Sequence, residues 1–322
     1  MRLCQKFICL LLFWSHSAIA TDDPISVVEH MHFPKAQQIG ENTVRIPFSL
    51  IGHLMVIEAE VYNKKGNFII DTGSENLLLN KVHFNEHRGL AAKSGYAGIN
   101  GNVNDVRIRW LKKLLVSDFS INNIKANSLD LSHIEKSKNM QLSGIIGHKV
   151  LKDYELFIDF YLKQITLSKI DKKGHKLDNL PYLEKISDSL QFKLKRHTIV
   201  LKSFVNKQKL NFALDTGAEI NMLHKSVSEK VLKNFKIDKR IMIVAADKRK
   251  IEVLAGKLFD VKFSNKIYAS KMRTILTNLS QASIAYGTKI DGIIGYEFMV
   301  NRRVILNYKK KWLYFVEVPS MN

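Results

Sequence analysis

Beyond residue 42 the chain runs in short alternations of apolar and polar residues, not in the three-to-four residue spacing of helices. Residues 43–50 (TVRIPFSL) and 54–62 (LMVIEAEVY) are rich in β-branched side chains, and Gly66 opens an apolar run that ends at Asp71. The same plan returns at 191–196, 198–205 and 209–214, the last running into Asp215. Such alternation puts every second side chain on one face of a strand, so these segments predict half-buried β-sheet. Two longer alternating stretches, ELFIDFYLKQITL (155–167) and RVILNYKKKWLYF (303–315), predict strands near the end of each half. Helix is expected in one place. Ser226 with Glu229 three residues on reads as a capping box, with Val227, Val231, Leu232 and Phe235 sharing the buried face.

The two halves read as copies. NFIID-T-G-S at 67–74 matches NFALD-T-G-A at 211–218, and Glu75 and Leu79 match Glu219 and Leu223. Further on, GIIG occurs at 144–147 and again at 292–295. The copies are offset by 144 positions at the first motif and 148 at the second, a difference the size of a loop insertion. Two motifs in one order at near-equal separation predict a duplicated β-domain. The expected division is a first lobe at 43–168 and a second at 191–318. The polar stretch 169–190, with Gly174 and Pro181, joins them. Residues 21–42 form a lead-in that either pairs with a sheet edge or lies loose.

Composition narrows the class. With 322 residues, 46% hydrophobic, Gly 16, Pro 5 and Cys 2, the chain has enough apolar content for one large or two modest cores, and it is neither disordered, collagen-like nor cysteine-stapled. The first twenty residues carry Arg2 and Lys6, a short apolar run from Ile8 to Trp14, and a small-residue end at Ala18-Ile19-Ala20. That is the layout of a secretory signal cleaved near Ala20. Together with richness in Lys, Asn and Ile it predicts a secreted or periplasmic bacterial protein. Cleavage there removes both cysteines, leaving 302 residues with no thiol. The net charge of the whole chain is +20, and two of those positive charges leave with the signal. The basic residues are scattered in pairs and triplets such as Lys248-Arg249-Lys250 and Lys309-Lys310-Lys311, so the expected effect is a weak attraction to acidic surfaces. No nucleic-acid module accompanies the charge.

One Asp-Thr-Gly alone reads as a turn, its carboxylate capping a backbone N–H. Two of them, one per copy, change the reading. Equivalent residues near the two-fold axis of a paired fold meet one another, which brings Asp71 and Asp215 face to face. Carboxylates that close share one proton and titrate as a pair. The ionised member then takes a proton from a water between them, while the neutral member hydrogen-bonds a substrate carbonyl and later protonates the leaving nitrogen. Gly73 and Gly217 let backbone N–H groups approach the carboxylates. Thr72 and Thr216 are placed to bond across the two-fold. Ser74 is placed to support Asp71, whereas its counterpart Ala218 has no hydroxyl, so the two acids are expected to have unequal surroundings.

With its two D-T-G-[SA] loops and two Ile-Ile-Gly segments, Ile145-Ile146-Gly147 and Ile293-Ile294-Gly295, the sequence resembles the aspartic peptidase superfamily. Repeats of about 125 residues that stay visibly alike resemble the retropepsin type, with two such lobes joined in one polypeptide. The resemblance implies a mainly β, bilobal aspartic-protease fold with a cleft between the lobes. It also implies a monomer that is an internal pseudo-dimer, and an endopeptidase acting on peptide or protein substrates without a cofactor. A covering flap is expected at 94–102 (SGYAGINGN), with Tyr96 over bound peptide and Gly98 in the mobile tip; the equivalent region of the second copy, near Ala245, Ala246 and Asp247, lacks glycine.

Other chemistries lack their signatures. None of the eleven histidines makes an H-x-x-x-H pair on a predicted helix, and the G-x-S-x-G, dinucleotide and Walker patterns are absent, so neither a metal nor a cofactor is expected. Two alternatives remain at this stage: a catalytically weak peptide-binding protein of the same fold, and an amide hydrolase acting on cell-wall peptides.

Overall fold

The computed structural model describes residues 6–8, 33–86, 89–91, 96–98, 101–103, 106–180, 184–244 and 250–317. The rest of the expected signal segment and lead-in up to residue 32 lies outside them. The fold is mainly β and has two β-sheet lobes. In the first, strands Leu54–Val61, Lys64–Ile70, Gly144–Ile146, Leu77–Asn80, Phe119–Leu129 and Arg107–Val116 follow one another around a ring, which closes where Leu115 pairs with Glu60. Ser49–Ile51 and Leu90–Ala91 extend it. The second lobe repeats the order with Thr198–Val205, Gln208–Leu214, Gly292–Ile294, Asn221–His224, Tyr268–Thr277 and Lys250–Lys262, and comes to near-closure where Phe204 meets Lys262.

The continuous apolar run before each aspartate has a structural reason. Strand Lys64–Ile70 is covered on both faces, so its alternating side chains enter two cores. Phe68 and Ile70 enter the main core of the molecule. Ile69 enters a smaller cluster with Leu78, Ile145, Leu131, Ile134 and Leu142. That second face is covered by helix Ser132–Lys138. The second lobe does the same with Ala213, Met222 and Ile293 under helix Ser280–Tyr286. A Phe or Ile so buried contributes roughly 1.5–3 kcal/mol.

A third, seven-stranded sheet joins the lobes. Its order is Ile186–Gln191, Trp312–Val316, Arg303–Asn307, Tyr154–Asp159, Gln164–Lys169, Thr43–Pro47 and Gln37–Gln38. The central pair is two-fold symmetric: Phe157 pairs with Ile305, flanked by Glu155 with Asn307 and Asp159 with Arg303. The side chains follow the register. Arg303 Nε donates to Asp159 Oδ2 at 2.7 Å, and Asn307 Nδ2 donates to Glu155 Oε2 at 2.7 Å. The stretches 155–167 and 303–315 therefore build a common sheet instead of the wall of either ring. Their unbroken apolar faces pack on both lobes.

Several local expectations change. Residues 43–50 are two strands, not one, because the chain leaves the shared sheet at Phe48 and enters the first ring at Ser49. The connector is partly sheet: Ile186–Gln191 pairs with Trp312–Val316, and Asp178 fastens the entry to the first strand by accepting from Asn42 N and Thr43 Oγ1 at 2.9 and 2.7 Å. Pro181 lies outside the described residues. Of the lead-in, Gln37–Gln38 does pair at the sheet edge. The helix expected from Ser226 is a single turn, Glu229–Leu232, with Ser228 at its N-cap and no side-chain cap bond. Phe235 instead begins the strand Phe235–Val244, since the β-branched run after it pairs with Lys250–Lys262.

Candidate active site

Each Asp-Thr-Gly loop leaves the end of an apolar strand and is pinned by the neighbouring Ile-Ile-Gly strand. Asp71 N donates to Ile146 O at 3.0 Å, and Asp215 N donates to Ile294 O at 2.9 Å. Strand Gly144–Ile146 runs parallel to Lys64–Ile70 and antiparallel to Leu77–Asn80, so it inserts between the two strands that flank the loop. The second lobe repeats this insertion with Gly292–Ile294. The loops are thus held by backbone bonds, independent of which side chains they carry.

The two loops meet. Thr72 Oγ1 accepts from Thr216 N at 3.0 Å and donates to Leu214 O at 3.3 Å. Reciprocally, Thr216 Oγ1 accepts from Thr72 N at 3.0 Å and donates to Ile70 O at 2.9 Å. Four hydrogen bonds therefore cross between the lobes, all buried. A Cβ on Gly73 would collide with the Asp215 carboxyl, and one on Gly217 would lie 2.7 Å from Asp71 Cγ, so glycine is required at both by close approach.

Asp71 and Asp215 have no solvent exposure, and each carboxyl lies against the glycine that follows the other aspartate. Asp71 Oδ1 accepts from Gly73 N at 2.8 Å and Ser74 N at 3.2 Å. Asp71 Oδ2 receives no hydrogen bond from the surrounding framework. Burial, then the neighbouring Asp215, hold the Asp71 carboxyl well above the usual range, against the pull of the Gly73 and Ser74 amides. Asp215 Oδ1 accepts from Gly217 N at 2.9 Å.

The hydroxyl of Ser74 does not reach the dyad. It donates to Asn76 O at 3.2 Å, and only the Ser74 backbone N–H serves Asp71. The inequality of the two acids arises elsewhere, at a residue the sequence does not mark. Tyr286, fully buried at the end of helix Ser280–Tyr286, donates from Oη to Asp215 Oδ2 at 3.4 Å. The matching helix of the first lobe ends on Lys138, which reaches across to Glu219 at 2.5 Å in a buried ion pair. The 148-residue offset that relates the two GIIG segments relates these two positions as well.

The floor of the site is also asymmetric. His197, from the start of the second lobe, places Nε2 3.1 Å from Gly73 O, so that nitrogen carries the proton. Its ring stands edge-on to Tyr286 at 6.0 Å and lies 6.5 Å from His148. Burial lowers both imidazoles, His148 to about 4. Tyr308 packs edge-on to His148 at 4.9 Å, and its phenol is raised by burial and then by Asp71 and Asp215. The equivalent of His197 in the first copy, His53, instead stacks on Tyr296 at 4.3 Å.

Of the expected flap, Tyr96–Gly98 and Gly101–Val103 form an antiparallel hairpin, with Lys6–Ile8 running parallel to its first strand. Ser94, Gly95, Ile99 and Asn100 lie outside the described residues, as do Ala245, Ala246 and Asp247. Among the described residues no group of three or more His, Cys, Asp or Glu is arranged to hold a metal. No protein-family model matches the chain, and no curated protein matches it significantly in sequence.

Proposed function

We propose that this chain is an aspartic endopeptidase with the bilobal acid-protease fold, its two lobes of the retropepsin type joined in one polypeptide. The observation that carries the reading is the meeting of Asp71 and Asp215 inside two Asp-Thr-Gly loops locked by reciprocal threonine bonds. Burial of two neighbouring acids is costly unless they share a proton. A protein that keeps such a pair, with glycine beside each carboxyl, has a site suited to general acid–base work.

In the reaction, one carboxylate takes a proton from a water lying between the acids as its oxygen bonds to the peptide carbonyl carbon. The other, neutral carboxyl donates to the carbonyl oxygen. Collapse of the tetrahedral diol breaks the C–N bond: the leaving nitrogen takes the proton held by the dyad, while a diol hydroxyl gives its proton to the other carboxylate as the C=O re-forms, so the dyad is restored with one shared proton. No covalent enzyme intermediate is needed. The substrate is an extended peptide bound by strand-like hydrogen bonds between the lobes. The protein acts as a monomer outside the cytoplasm after loss of residues 1–20.

The experiment is cleavage of a mixed peptide library by the chain lacking residues 1–20, from about pH 3 to 8, read by mass spectrometry. The wild type is expected to cut, and Asp71→Asn and Asp215→Asn each to abolish cutting while melting like the wild type. Turnover retained by either variant, or none by the wild type, contradicts the proposal.

A further inference from the structure

Two acids that share a proton need not be interchangeable, and the surroundings here are unequal. Asp71 Oδ1 holds two backbone amides, while its Oδ2 takes no hydrogen bond from the framework. Asp215 holds one amide at Oδ1 and, at Oδ2, a phenol hydroxyl from the Ser280–Tyr286 helix. A hydroxyl donated to a carboxylate favours its ionised form, and burial of both partners strengthens the effect.

The contact is built into the second lobe. Tyr286 is the last residue of its helix, and the chain turns away immediately at Gly287, whose φ of 65° fits the left-handed region. The ring is fixed by Ala213, Met222, Leu279, Ala282, Ile290 and Ile293 in one apolar cluster. At the matching site of the first lobe the side chain is Lys138, committed to Glu219. The duplicated helices have thus diverged at their last position, which bonds Asp215 in the second lobe and reaches Glu219 in the first.

We propose that Tyr286 is a positioning residue that holds Asp215 as the ionised member of the pair, the group that takes the proton from water, leaving Asp71 as the member that carries the shared proton. This rests on the peptidase reading above. The other titratable and charged groups around the pair are Tyr308, near both acids, His197, which packs on Tyr286 and bonds Gly73 O, with His148 and Glu75 beyond it, and Arg196, which donates to Ala285 O and lies against Gly287 on either side of Tyr286. None of these donates to Asp215 Oδ2 in the contacts described.

The test is Tyr286→Phe, which removes one oxygen and keeps the ring. Loss of the donor makes Asp215 harder to ionise, so the acid limb of kcat/KM is expected to move to higher pH by about one unit, the scale of one hydrogen bond to a charged group. The alkaline limb, set by the proton on Asp71, stays nearly in place. A shift of the alkaline limb alone means that Asp71 is the base and overturns the assignment. No shift of either limb, or a uniform change in kcat with unchanged limbs, reduces Tyr286 to a packing residue and overturns it too. The limbs report only folded enzyme, so partial unfolding of the variant does not hide the result. If the wild type cuts no peptide, the peptidase reading fails by itself. The inference is then read from 13C-carboxyl NMR titration, in which the lower of the paired transitions rises in Tyr286→Phe or, if the inference is wrong, does not.

Discussion

Replacing Thr72 with valine keeps the shape of the side chain and removes its hydroxyl, which isolates the lock between the two loops. Two buried groups of the opposite lobe then lose their partner: Thr216 N, which donates to Thr72 Oγ1 at 3.0 Å, and Leu214 O, which accepts from it at 3.3 Å. Water cannot replace it readily, because Thr72 is completely buried and Thr216 nearly so. A buried polar group left unsatisfied costs roughly 1–3 kcal/mol, so with two such groups the variant should lose about 2–6 kcal/mol of stability in urea unfolding followed by circular dichroism. That is a large share of a total that is typically about 5–15 kcal/mol. Thr72→Ser keeps the hydroxyl and should recover most of the loss. Because Thr216 makes the mirror-image pair of bonds, Thr216→Val should cost a similar amount. The double variant should cost less than the sum, since the first change already loosens the second pair. In turnover, a displacement of about 1 Å between the acids should lower kcat on the order of a hundredfold. A Thr72→Val protein within about 0.5 kcal/mol of the wild type would show that the four bonds do not hold the loops together, given that surface-like effects fall in that range.

Asp159→Ala should destabilise the protein by about 2–4 kcal/mol, because it strips the buried carboxylate from Arg303 Nε and leaves that almost fully buried guanidinium with Glu184 and Glu317 O alone; a change under 1 kcal/mol in the same unfolding assay would refute that role. His148 is neutral when folded, lowered to about 4 from an ordinary 6.5, so the unfolded chain binds more protons between those values. Stability should be complete above pH 6.5 and fall as pH drops toward 4, by up to about 3 kcal/mol, and His148→Phe should flatten that part of the curve; an unchanged slope in the variant contradicts it. Ser74→Ala should leave the pH profile of cleavage unmoved, because the hydroxyl serves Asn76 O and not the dyad.

What could be read from the sequence was whatever repeats in it. The Asp-Thr-Gly and Ile-Ile-Gly motifs are local, and their 144- and 148-residue offsets carry the duplication without any knowledge of the fold. The strands around them were legible because β-branched alternation is strong there. The shared sheet was not, because 155–167 and 303–315 show the same alternation whether they close a ring or cross to the other lobe. The helices Ser132–Lys138 and Ser280–Tyr286 were missed for a physical reason. Their N-caps are Leu131 and Leu279, which make no side-chain cap bond, and seven residues are too few for a clear period. With those helices unseen, Tyr286 had no reason to be placed against Asp215. For Ser74 the spacing from Asp71 points to the hydroxyl, yet the backbone N–H serves the carboxylate and the hydroxyl donates to Asn76 O. His197 and His148 drew no notice because they lie in different lobes and meet only once the loops are folded together.

The central claim is that Asp71 and Asp215 behave as one proton-sharing unit, and NMR titration of 13C-labelled aspartate carboxyls tests it most directly. The account predicts two coupled transitions, one displaced well above the ordinary carboxyl range. In Asp215→Asn, the remaining Asp71 should lose the part of its upward shift that comes from the neighbouring charge. Two independent transitions in the ordinary range, unchanged when either partner is replaced, would contradict it.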